Sequence, residues 1–161
     1  MARIEAKLAD LGLVLPAPLA PPPGVVLPFT MARIVGSRAI VSGHGPLNPD
    51  GSLAQPLGKV GSDLTVEQGH AAARLTGLAI LASLRRALGD LDRITAWTRV
   101  FGMVNSAPGF VRQPAVINGF SELILQLFGP EVGAHPRSAV GLFELPFSIP
   151  VEIEAEVEFG R

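Results

Sequence analysis

The chain of 161 residues contains no cysteine. Disulfides, thiolate nucleophiles and metal sites built on sulfur are thereby excluded. Tyrosine is absent too, so no phenol can act as a proton donor. Charge is scarce: 17% of residues are charged, and 13 basic groups against 14 acidic ones leave a formal net charge of −1. A nucleic-acid footprint needs clustered Lys and Arg, and this balance supplies no such cluster, so nucleic acid is not an expected partner. Apolar residues stand in place of charge, at 48% of the chain with a mean hydropathy of +0.40. Such a chain can fill a core and still has apolar surface to cover, which points to association with copies of itself.

The longest stretch without a charge, residues 11–32, is as long as a membrane span, but six of the 15 prolines fall in it, and prolines this dense break a spanning helix. Glu5, Lys7 and Asp10 interrupt the segment that would form the apolar region of a signal peptide. The expectation is a soluble, cytoplasmic protein with no membrane partner.

Helical spacing over residues 2–11, with Ile4, Leu8 and Leu11 on one side, leads into a polyproline-like connector through Pro16, Pro18 and Pro21-Pro22-Pro23. Residues 1–27 read as an N-terminal arm, and residues 28–161 as the domain proper. Strands are expected over 31–35 and 38–42, followed by a type I turn at Asn48-Pro49-Asp50-Gly51. Thr65-Val66-Glu67-Gln68 has capping-box spacing and opens a helix over about residues 65–88, closed by Gly89. A strand over 94–104 carries Trp97, Phe101 and Met103, which strict alternation puts on one side. Pro114 starts a second helix, whose buried stripe runs Ile117, Phe120, Ile124, Leu127 and Phe128 and which Gly129-Pro130 ends. Strands over 137–143 and 151–159 close the chain. The order β-β-α-β-α-β-β describes an α+β domain, a mixed sheet with two helices on one face and the other face in need of cover.

Ser42-Gly43-His44-Gly45-Pro46 lacks the third glycine and the following helix of a dinucleotide fingerprint. Its glycines read as a tight backbone path that leaves amides free for a ligand. The three histidines, His44, His70 and His135, are too dispersed to form a metal-binding motif, and no nucleophile elbow occurs. His44, at a strand end, is the histidine kept as a site candidate, and His135 is left open. On the last strand Glu152, Glu154, Glu156 and Glu158 repel one another unless cations lie across them, as Arg99 and Arg137 could. Arg137 sits among small residues, with room to grip a carboxylate through two parallel hydrogen bonds, or else to pair with Glu152 or Glu154.

Three segments taken together resemble the reactive-intermediate deaminase (Rid, or YjgF-like) family, also called endoribonuclease L-PSP and chorismate-mutase-like. They are Val41-Ser42-Gly43-His44-Gly45-Pro46, Pro136-Arg137-Ser138-Ala139-Val140 and Val151-Glu152-Ile153-Glu154-Ala155. The resemblance covers roughly residues 28–159. Asn105-Ser106-Ala107-Pro108-Gly109-Phe110 and Val116-Ile117-Asn118-Gly119 look like a bacterial subgroup of longer chains. What the resemblance implies is a homotrimer with a central β-barrel and clefts between subunits, working without a metal or bound cofactor on 2-imino or 2-enamine acids. It further implies that Arg137 binds the substrate carboxylate, Glu152 stands near the attacking water, and Asn118, Ser42, Gly43 and Ala139 line the pocket. Three departures accompany it: Phe29 stands where the family has an aromatic hydroxyl, His44 where the deaminases have glutamine, and Gly141 where an acidic residue follows the arginine. A metabolite-binding module without catalysis, using the same cleft, is the alternative reading, and ribonuclease activity ranks below both.

Overall fold

The computed structural model describes residues 3–160. Elements follow in the order α1 (Arg3–Asp10), β1 (Ala32–Val35), β2 (Arg38–His44), α2 (Val66–Leu88), β3 (Ile94–Asn105), α3 (Gln113–Val132), β4 (Arg137–Leu142) and β5 (Val151–Phe159). Short 3-10 turns lie at Leu91–Arg93 and Pro146–Ser148. The five strands form one sheet in the order β1-β2-β5-β3-β4, antiparallel except where β4 runs parallel to β3. This is the expected mixed α+β sheet, with α2 and α3 packed on one face. No helix among the described residues is long and apolar enough to cross a membrane.

Local chemistry sets the helix ends. Thr65 caps α2 by accepting from the Gln68 amide at 3.2 Å, while the Gln68 side chain accepts from the Thr65 amide at 2.9 Å, so two otherwise orphaned donors are satisfied. Gly89, at φ 82°, ends the helix in the left-handed region. The backbone of α3 leaves helical geometry at Gly129 (φ 78°), where the sequence expects it to stop, and one further turn continues to Val132. The two long helices approach closely at Gly119, where a Cβ would lie 2.0 Å from the His70 carbonyl oxygen. The arm is packed rather than loose: Ile4 and Leu8 are buried, and Asp92 accepts from the Arg3 and Ile4 amides at the start of α1. Beyond α1, Ala17 and Ala20 bond to the carbonyls of Pro49 and Gly51 at the expected turn.

One side-chain direction is corrected. Trp97 does not share a face with Phe101 and Met103. A bulge between Trp97 and Arg99 sets three β3 residues against Val157 and Glu156 of β5 and shifts the alternation by one. Trp97 therefore enters the core, edge-on to Phe120 and Phe128 with centroids 5.7 Å away in each case. Arg99, Phe101 and Met103 are left on the face without helices. There Glu154 pairs with Arg99 at 3.0 Å and Glu156 with Arg38 at 2.9 Å, which offsets the mutual repulsion of the carboxylate row. Ile34, Ile40 and Val140 are exposed among the large apolar residues.

Candidate functional site

Residues expected to share a site form two groups on opposite faces of the sheet. The first surrounds Arg137, the opening residue of β4, whose side chain turns toward α3. Its guanidinium donates to Asn118 Oδ1 at 2.7 Å, Ser121 Oγ at 2.9 Å and the Pro114 carbonyl at 3.2 Å. These three acceptors lie three or four residues apart in sequence, so one stripe of α3 presents them all. Each is neutral, and Arg137 makes no ion pair among the described residues. Burial lowers its pKa by disfavouring the charge, an effect that Glu122 opposes from a distance. Of the five N–H bonds of a guanidinium, three are engaged, which leaves two for an anion. The alternative pairing with Glu152 or Glu154 does not occur.

His135 belongs to this group. Its Nδ1 lies 2.6 Å from the Gly133 carbonyl and its Nε2 2.9 Å from Ser121 Oγ. A carbonyl can only accept, so Nδ1 carries the proton and Nε2 accepts from the serine hydroxyl, whose oxygen in turn accepts from Arg137. Burial, with the Arg137 charge nearby, lowers the His135 pKa and favours that neutral form. Sequence reasoning missed Ser121 and left His135 open. The legible signal was a second small polar residue one turn after Asn118, on the same stripe of α3. Ala139 follows on the same side of β4, opposite Gly102 and packed against the core. The departure at Gly141 has a local cause: a Cβ there would lie 2.7 Å from Ser106 Oγ and 2.8 Å from Gln113 Nε2, which are bonded to each other.

The second group surrounds Glu152. It alternates with the buried Val151 and Ile153 and so projects from the face without helices. Its carboxylate makes no hydrogen bond or ion pair among the described residues. Burial, and to a lesser degree Glu154, raises its pKa above the ordinary carboxylate value. A bulge in β2 between Val41 and His44 lays Gly43 against it, where a Cβ would sit 2.0 Å from Oε1. Glu152, Gly43, His44 and the half-exposed Phe29 line a cavity of about 460 Å³. Ser42 holds this region rather than lining it, since its hydroxyl donates to the Thr30 carbonyl at 2.7 Å and its amide to that of Met31 at 3.0 Å.

The same bulge turns the His44 ring inward, 3% exposed. Nδ1 is 2.7 Å from the Ser42 carbonyl and Nε2 is 2.8 Å from Ser83 Oγ, so both nitrogens are occupied. Burial, the largest influence, lowers its pKa from the ordinary 6.5 to about 4, and the ring is neutral at pH 7. His44 therefore forms cavity wall and has no free nitrogen for a ligand. Among the described residues one further carboxylate cluster, Glu5, Asp90 and Asp92, has oxygens close enough to hold a cation. It lies at the α1 docking contact, away from both groups.

Residues 5–148 match the sequence model of a family described as "YjgF/chorismate_mutase-like, putative endoribonuclease". The match begins inside α1. Protein TCP17 from Trypanosoma cruzi is 43% identical over 159 residues, which cover 99% of this chain and 96% of that protein. The crystal structure of Atu1372, a protein of unknown function from Agrobacterium tumefaciens, is 39% identical with a TM-score of 0.87, covering 98% of this chain and 92% of that one. A "putative endoribonuclease" from Shewanella oneidensis is 32% identical with a TM-score of 0.86, covering 97% and 99% of the two chains.

Proposed function

Since the chain belongs to the YjgF/chorismate-mutase-like family, we propose that it binds a small carboxylate-bearing molecule between copies of a homotrimer and hydrolyses a 2-imino or 2-enamine acid there. One observation carries this reading: Arg137 is a half-buried guanidinium held by three neutral acceptors, with two N–H bonds to spare. Desolvation makes that charge unfavourable until an anion arrives, and the spare N–H bonds, one on Nε and one on Nη1, can each donate to a carboxylate oxygen. Arg137 and Glu152 project from opposite faces of one sheet, so a site that uses both takes them from neighbouring copies. The exposed apolar residues on the helix-free face support such an assembly.

In this cleft Arg137 holds the carboxylate and Glu152 orients a water toward the imine carbon. A carboxylate with a raised pKa is a better base than an ordinary one. The water oxygen bonds to carbon as the C=N pair moves to nitrogen, and Glu152 takes the water proton. Returning that proton to nitrogen gives the carbinolamine, and ammonia leaves as Glu152 passes the carbinol O–H proton to nitrogen and the C=O bond of the 2-oxo acid forms. An enamine substrate first takes a proton at carbon to become the imine. The test is ammonia release from imino acids generated in situ by an amino acid oxidase. Acceleration by the wild-type protein, lost in Arg137→Ala, is the expected result, and equal activity in the variant rejects the assignment.

A second reading, metabolite binding without turnover, draws on Phe29 and His44. Phe29 brings no hydroxyl to the cavity, and both His44 nitrogens are occupied, so Glu152 is the cavity's one available titratable group. Thermal shifts with 2-oxo acids, combined with no acceleration of any imine, select this reading.

A further inference from the structure

The cavity beside Glu152 is larger and more apolar than a short imino acid needs. Its volume is about 460 Å³, room for on the order of fifteen waters at ~30 Å³ each. The proline-rich arm lines it through Leu19, Pro22, Val25 and Leu27, and Phe147 is part of the same lining. The arm is anchored at several points. Ala17 and Ala20 bond to the carbonyls of the turn at residues 48–51, and Arg86 donates to the Pro16 carbonyl at 3.4 Å. Val25 closes a turn on the Pro22 carbonyl at 3.0 Å. Proline fixes the backbone in advance, so this wall loses little entropy when a ligand orders it. Phe147 adopts φ 57°, a conformation that bulky residues rarely take, and it is exposed on the cavity rim. Glu152 is the one charged group among the lining residues.

We infer that the arm forms a side-chain subsite, and that the ligand is a 2-imino or 2-oxo acid carrying a branched aliphatic or aromatic substituent. This inference rests on the carboxylate-binding reading above and names the substrate class. The geometry follows from the chemistry. The carboxylate and the side chain hang from the same reacting carbon, so with the carboxylate on Arg137 of a neighbouring copy and the carbon beside Glu152, the remaining substituent enters the cavity. A methyl group would leave most of the space to water against apolar walls. A branched or aromatic group displaces that water and buries its own apolar surface. Each added carbon raises affinity about fourfold, so the three carbons that separate pyruvate from 4-methyl-2-oxopentanoate span about 60-fold.

The experiment measures dissociation constants by titration calorimetry on the full chain for pyruvate, 2-oxobutanoate, 4-methyl-2-oxopentanoate and phenylpyruvate. Three proteins are compared: wild type, Val25→Asp and Arg137→Ala. Val25 lies on the exposed arm, and thermal melting verifies that its variant folds. Affinity should climb with side-chain size in wild type, the climb should flatten in Val25→Asp, and all binding should be lost in Arg137→Ala. A flat wild-type series that still depends on Arg137 overturns the subsite and leaves the carboxylate grip standing. So does a climb that persists undiminished in folded Val25→Asp. Binding that ignores Arg137 throughout, or no binding by any member, overturns the carboxylate reading and the subsite with it.

Discussion

Gly43 and Glu152 meet so closely that the glycine serves as part of the acid's position. A methyl group at residue 43 would stand 2.0 Å from Glu152 Oε1 and 3.1 Å from its Cγ. The atoms it meets are the far end of a flexible side chain, so the carboxylate swings away and the fold is little disturbed. Gly43→Ala is therefore expected to lower ammonia release by about 100-fold, as a displacement of about 1 Å can do, with a melting temperature near that of wild type. Steady-state kinetics beside a thermal melt checks both halves. His44 gives the pH counterpart. Its folded pKa of about 4 lies below the unfolded 6.5, so between these values the unfolded chain binds more protons than the folded one. Stability is fully present above pH 6.5 and falls as the pH drops toward 4, by about 3 kcal/mol in total. His135, also lowered, adds in the same direction, and the raised Glu152 opposes it. Urea denaturation at a series of pH values should show a shallower acid loss in His44→Gln than in wild type.

Among the elements, α2 and α3 carry the most demanding contact. Gly119 faces the backbone of α2, where a Cβ would lie 2.0 Å from the His70 carbonyl oxygen and 3.2 Å from the Arg74 amide nitrogen. Backbone atoms cannot swing aside, so Gly119→Ala must separate the helices. The expected loss is about 3 kcal/mol or more, read from the urea midpoint. Asn118 precedes this contact and Ser121 follows one turn from Asn118, so displacing α3 also moves the acceptors that hold Arg137. Asn118→Ala removes a single acceptor and leaves the helix contact alone, so it makes the milder companion variant. Packing and anion binding are thus coupled through one helix. The Thr65 cap and the Gly89 stop act differently, since both were legible as short sequence patterns and both depend on neighbours within four residues.

At the scale of the whole molecule, the helix-free face must account for the charge deficit and the high apolar fraction. Its Glu154–Arg99 and Glu156–Arg38 pairs lie beside Phe101 and Met103, with Ile40 and Val140 exposed nearby. If this face closes the proposed trimer and brings Arg137 of one copy to Glu152 of the next, Phe101→Asp should dissociate the assembly. Ammonia release should then disappear although neither site residue is altered. Sedimentation velocity alongside the ammonia assay checks this outcome, and an active monomer sinks the shared cleft.

The sequence alone determined what depends on near neighbours and on residue type. Alternation on β5, the capping box at Thr65, the stop at Gly89 and the order of strands and helices are encoded within a few residues of where they act. Arg137, Glu152 and Asn118 are expected at a site through the resemblance of short segments to a known family. Only the tertiary structure decided the directions of side chains and the company they keep. Two bulges, each one residue long, turned Trp97 and His44 into the core, and no periodic pattern announces where an extra residue enters a ladder. That Arg137 meets Ser121 and neutral acceptors instead of the acidic strand depended on α3 crossing above β4. That the arm walls a cavity depended on its docking to the turn at residues 48–51. Both are contacts between segments far apart in the chain, set by packing that local spacing does not encode.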